Sequence, residues 1–240
     1  MLKAILWKEW REQRWKMVFG AVMLLFVEGV LFATQLTSEG EIVIVIWVFG
    51  GLLFALYSAM GVFAPEWMQR TTTFLGARPI QAWKVFLVKW LVGWLNFAVP
   101  LLLCSFIVML RVWFYSDRSI YVNSSGVLRG TLSALAATTM FYTLTCCLAP
   151  RKSSEALVGF VGLMVALILI LHAAFISFAF YRFPVEHSFL SELAAFINPY
   201  FWIYLEQPNQ QIHTNLLILE QMALFVLVFW LGMRKWRRSL

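Results

Sequence analysis

The chain has 240 residues, of which 62% are hydrophobic and 13% charged, with a formal net charge of +7. That much apolar surface is more than a soluble domain of this length can bury, so composition excludes an ordinary soluble domain and points to an integral membrane protein. The positive excess does not indicate nucleic acid, because the basic residues lie just beyond the ends of apolar runs, where they meet anionic lipid head groups.

The opening MLKAILWKEWREQRWK, residues 1–16, carries five basic side chains, two acids and three tryptophans. It is too charged to span a membrane and lacks a cleavable-signal pattern, so the first apolar run is expected to be the insertion signal. On a helical wheel Leu2, Ile5, Leu6 and Trp10 share one side and Lys8, Arg11 and Arg14 the other, with Glu9 and Lys16 interrupting the apolar sector. The segment therefore reads as an interfacial helix on the inner leaflet, with tryptophans at head-group depth; the alternative is a basic topogenic tail.

Six apolar runs follow, each long enough to cross about 30 Å of hydrocarbon as a helix: Met17 to Gln35, Ile42 to Ala64, Lys84 to Leu110, Gly130 to Ala149, Ala156 to Phe180 and Asn215 to Met233. None alternates with period two, which excludes a transmembrane barrel. The expected class is an all-α polytopic membrane protein with six transmembrane helices preceded by the interfacial helix. Residues 1–240 form one domain, in which 17–233 make the bundle.

Lys and Arg set the orientation. With the N-terminus inside, the cytoplasmic segments hold Lys3, Lys8, Arg11, Arg14, Lys16, Arg70, Arg78, Lys84, Lys89, Arg151, Lys152, Arg234, Lys235, Arg237 and Arg238. The other side holds only Arg111, Arg118, Arg129 and Arg182. Both termini are expected to be cytoplasmic, with residues 234–240 as a basic tail. Residues 181–214 form a long outer connection in which Phe189, Leu193, Ala194, Phe196 and Ile197 keep a helical spacing, as in a short amphipathic helix at the outer surface.

Soluble chemistry leaves no trace. The sequence contains no GxxxxGK[ST] phosphate loop, no HExxH, no GxSxG and no Cys/His cluster, so enzyme activity and bound cofactors are not expected in this chain. Cys104, Cys146 and Cys147 fit neither a disulfide framework nor a metal spacing. Two ionisable residues sit at membrane depth. Glu28, within FVEGVLF, costs roughly 2.5–3.5 kcal/mol to insert as an ion, so it belongs at a subunit interface, on a polar path or in a hydrogen bond to a neighbouring helix. His172 is either a packed, hydrogen-bonded helix residue or part of such a path.

The densest polar stretch is PEWMQRTTTFLGARPIQAWKVFLVKW, residues 65–90, between the second and third runs. A KEW-containing basic helix, a second span ending at cytoplasmic Glu66, Arg70, the threonines Thr71, Thr72 and Thr73, Leu75, then Ala77, Arg78 and Pro79 with Lys84 or Lys89 beyond: this ensemble resembles the permease subunits of type-2 ATP-binding-cassette (ABC) exporters. It departs from them in offering a third Thr where Gly is common. The resemblance covers the whole chain in topology. It implies a subunit of the bacterial cytoplasmic membrane that pairs with a second permease copy, identical or not, and is driven by two cytoplasmic ATPase subunits that bind the ATP and Mg. Residues 65–83 would then be a coupling segment in which Glu66, Arg70, Thr72, Leu75, Arg78 and Lys84 dock the ATPase. The alternative for each basic residue is an ordinary positive-inside anchor. The alternative for the protein is an accessory permease-like subunit that transmits ATPase strokes to an extracytoplasmic maturation or assembly partner.

Overall fold

A single unbroken helix, α1, runs from Leu2 to Thr34 in the computed structural model. It is followed by α2 (Gly51–Met68), α3 (Ala82–Tyr115), α4 (Ser124–Leu148), α5 (Glu155–Arg182) and α6, described over residues 225–235. The structure describes residues 2–34, 46, 50–68, 81–115, 124–148, 154–182, 223 and 225–235, and among these there is no strand.

The continuity of α1 differs from the expected interfacial helix over residues 1–16. A helix needs a breaker to turn from the membrane surface into a span, and no Gly or Pro occurs before Gly20. Helix formers such as Leu2, Ala4, Glu12 and Gln13 instead carry the helix straight on, with a Lys8–Glu12 pair at 3.9 Å along its exposed side.

α1 and α3 pack in parallel. Glu9 meets Lys89, Gln13 meets Asn96, and Phe32 lies beneath Arg111, so both numberings rise together along the seam. α2 runs the other way between them: Gln13 meets Gly61, Lys16 lies over Tyr57, Gly20 faces Phe54, and Leu24 fills the space a Cβ on Gly50 would take. α4 is antiparallel to α3, as Trp90 bonds Thr143 and Trp94 bonds Thr139. α6 is also antiparallel to α3, as Phe229 packs on Phe86 and Phe225 on Trp90. Gly159 against Met60 and Gly162 against Leu56 set α5 antiparallel to α2. The described helices therefore alternate in direction.

Two of them, α1 over Lys3–Ala33 and α3 over Ala82–Arg111, are long and apolar enough to cross a membrane. The stretches Gly51–Val62, Ala134–Leu148 and Glu155–Ile168 are apolar and shorter. Only 17% of the apolar window of α1 is buried, so this helix is not the core helix of a water-soluble domain. Its exposed face is formed by Val18, Phe19, Val22, Phe26 and Val30, while its buried stripe is Glu9, Gln13, Gly20, Leu24 and Glu28. Apolar groups face out and polar groups face in, the reverse of an amphipathic helix in water.

The main core joins Leu52, Ala55, Ala59 and Val62 of α2, Phe86, Trp90 and Phe97 of α3, and Phe141 and Tyr142 of α4. Its aromatic part is tightly nested, with Trp90 edge-on to Phe229 at 5.3 Å and Phe97 at 5.2 Å from Tyr142. A second cluster at the Arg111 end joins Leu24, Ile46, Leu101, Cys104, Val108 and Ala134.

Candidate functional site

Where α1, α2 and α3 converge, polar side chains that interrupt apolar helices find one another. Lys89 Nζ lies 2.7 Å from Glu9 Oε1, and both side chains are almost wholly buried. One turn along α1, Gln13 Nε2 donates to the carbonyl of Gly61 at 2.7 Å, and its Oε1 accepts from Asn96 Nδ2 at 3.2 Å. Ser58 Oγ donates to the carbonyl of Gly93 at 2.5 Å, adding a second tie between α2 and α3. The spacing explains the assembly. Glu9 and Gln13 are one turn apart on α1, and Lys89 and Asn96 are two turns apart on α3, so each pair shares a face.

The glycines let the backbones approach. A Cβ on Gly61 would collide with the Lys16 ammonium, and one on Gly93 with the Tyr142 hydroxyl and Val62. Tyr142 in turn donates to the Trp90 carbonyl at 3.2 Å, Trp94 Nε1 to Thr139 Oγ1 at 2.8 Å, and Trp90 Nε1 to Thr143 Oγ1 at 3.2 Å. These bonds extend the polar clamp across to α4. Lys235 of α6 closes the same end by donating to the Cys147 carbonyl at 2.6 Å.

Removing one partner of a buried ion pair leaves an uncompensated charge in a poorly solvated site; beside the pair, Asn96 Oδ1 is buried with no hydrogen-bond partner among the described residues. Among the described residues no three His, Cys, Asp or Glu side chains come together as a metal group. Beside the clamp, at the start of α3, a groove of about 540 Å³ is lined by Gln81, Ala82, Trp83, Trp230, Met233 and Arg234.

Of the residues expected to couple to an ATPase, Glu66 and Lys84 lie on described helices. Glu66 lies in the last turn of α2, which continues to Met68. Arg70, Thr72, Leu75 and Arg78 lie outside the described residues, as does Pro79. Lys84 is half-buried in the first turn of α3, its Nζ 5.5 Å from the ring centroid of Trp83. Lys89, one of the two lysines of the family pattern, is the clamp's cation. His172 falls within α5, but its side chain is outside the description. Glu28 is 2% exposed within this chain, with the Cys104 thiol of α3 against it.

Glu9, Gln13 and Asn96 were not singled out as site residues by sequence reasoning. Glu9 looked like a flaw in an apolar sector, although it is part of the buried stripe. The available signal was the recurrence of polar residues at helical spacing within apolar helices.

The fold and clamp define a class: an all-helical bundle with two helices long and apolar enough to cross a membrane, and with its polar groups turned inward. Compared with known proteins, the chain matches no family model and no curated protein sequence.

Proposed function

We propose that this chain is the permease subunit of an ATP-driven exporter of the type-2 ABC class, with six membrane passes and both termini in the cytoplasm. It works with a second permease copy and two cytoplasmic ATPases that dock on residues 65–83. The observation that supports this reading best is the Glu9–Lys89 pair with its Gln13 bridges to Asn96 and Gly61. These contacts bind α1 to both helices that flank the 65–83 segment. A push received there moves three helices as one block, which is what a docking segment between two spans needs. Alternating helix directions, and Lys3, Lys8, Arg11, Arg14, Lys84 and Arg234 gathered at the clamp end, support the six-pass arrangement with that end in the cytoplasm. The exposed apolar face of α1 supports embedding in lipid.

The test is to purify the tagged full chain from its own host in mild detergent. Recovery of an ATPase subunit carrying a phosphate loop, and loss of that subunit in Glu66→Lys and Arg70→Glu while the chain stays in the membrane, is the expected result. Recovery of the chain alone, or of the same ATPase with both variants, overturns the proposal.

A further inference from the structure

The α1–α3 seam is fastened at one end and open at the other. At the clamp end the Glu9–Lys89 pair fixes it. At the far end Glu28 is buried at 2% exposure, yet among the described residues its carboxyl has no hydrogen-bond partner stronger than the Cys104 thiol. Buried polar groups without partners are rare enough that each calls for a cause, and an ionisable group at this depth marks function more often than packing.

Its surroundings narrow the chemistry. α3 presents the Cys104 thiol, which lies against the carboxyl and is a weak donor, and further along the Arg111 guanidinium, whose charge reaches Glu28. Arg111 is stacked 4.0 Å from the ring centroid of Phe32. Phe32 follows Glu28 by four residues, so it stands on the same face one helical turn on, about 5.4 Å along the axis. The described side chains of α2, up to Val62, include no acid or base, and Tyr57, its titratable group, lies at the other end near Lys16. Glu28 thus lies on the buried stripe of α1 against Cys104, and among the described residues the cation whose charge reaches it is Arg111, a turn away, a setting that accommodates a neutral acid and not an isolated carboxylate.

The seam also has a joint between its two ends. Pro100 interrupts α3 and leaves the Asn96 carbonyl without its helical donor. Opposite it Gly20 allows close approach, a Cβ there lying 3.6 Å from Pro100 Cγ and 3.0 Å from the ring of Phe54.

We propose that Glu28 is a proton-binding site, neutral in the arrangement described here, whose ionised form pairs with Arg111 as the two helices shift about the Gly20–Pro100 joint. In the step the carboxyl O–H bond breaks, its electron pair stays on the carboxylate, and the proton passes to water at the Arg111 end of the bundle. Arg111 leaves the Phe32 ring and takes up the carboxylate. The inference requires only this chain and stands whether or not an ATPase docks on it.

The full-length protein in phosphatidylcholine nanodiscs, with 4-fluorophenylalanine placed at Phe32, tests this directly. The expected results are an infrared carbonyl band of a protonated carboxylic acid that is lost in Glu28→Gln, and a Phe32 fluorine resonance that shifts as the pH is raised in the wild type but not in Glu28→Gln. A carbonyl band unchanged by the substitution, or the same fluorine response in both proteins, overturns the proposal. Should Glu28→Gln fail to fold, the wild type is treated with a hydrophobic carbodiimide, which reacts with protonated carboxyls. Attachment at Glu28, located by peptide mass mapping, supports the proposal, and its absence there overturns it.

Discussion

Glu9 and Lys89 are 80 positions apart in the chain, and their side chains meet at 2.7 Å with only 4% and 3% of their surface exposed. A pair so deeply withdrawn depends on both partners: losing one leaves a bare charge, whereas losing both leaves an apolar contact. Glu9→Leu alone and Lys89→Leu alone should each lower stability by about 3–5 kcal/mol, and the double variant should recover most of that loss. Thermal unfolding of the four proteins in detergent closes this cycle. Equal, additive losses in the double variant would mean that the two side chains do not interact.

Gly93 of α3 faces both α2 and α4, and a methyl group there would overlap the Tyr142 hydroxyl and Val62. Overpacking of this kind costs about 1–3 kcal/mol, so Gly93→Ala should unfold at a lower temperature than the wild type. Combining it with Val62→Ala should return part of the loss. A Gly93→Ala protein as stable as wild type would show that these helices are further apart than described.

Among the described residues the buried Glu28 carboxyl has no hydrogen-bond partner stronger than the Cys104 thiol, so removing its polarity should stabilise the bundle. Glu28→Leu, similar in size, should raise unfolding stability by about 1–3 kcal/mol, the penalty of an unsatisfied buried group. A decrease would indicate that the carboxyl has a bonding partner. Activity is expected to respond in the opposite direction, as buried ionisable residues retained against stability serve function.

The proposed six passes with both termini inside would place residue 69 and residue 123 on opposite faces of the membrane. Single cysteines at Gln69, Asn123 and Gln210 in a background lacking Cys104, Cys146 and Cys147 should separate accordingly with an impermeant thiol reagent on sealed cells. Gln69 is expected to stay protected while Asn123 and Gln210 react. Labelling of Gln69 and Asn123 from the same side would refute the six-pass arrangement.

The sequence by itself determined the helical class and the approximate place of each helix, because runs of apolar residues without period-two alternation allow little else. It also located the polar stretch before α3. It suggested a bend after residue 16 that α1 does not make, since charge composition alone does not break a helix that lacks Gly or Pro up to Gly20. What only the tertiary structure decided is which polar residues are inward and whom they meet. Helical period shows that Glu9 and Gln13 share a face, and that Lys89 and Asn96 share another. It does not show that α1 and α3 lie parallel and in the register that brings Glu9 to Lys89 and leaves Glu28 against Cys104, a full turn short of the Phe32 ring on which Arg111 rests. That register goes with the close approach of Gly20 to Pro100. This is a contact between segments far apart in the chain, and local patterning carries no information about it.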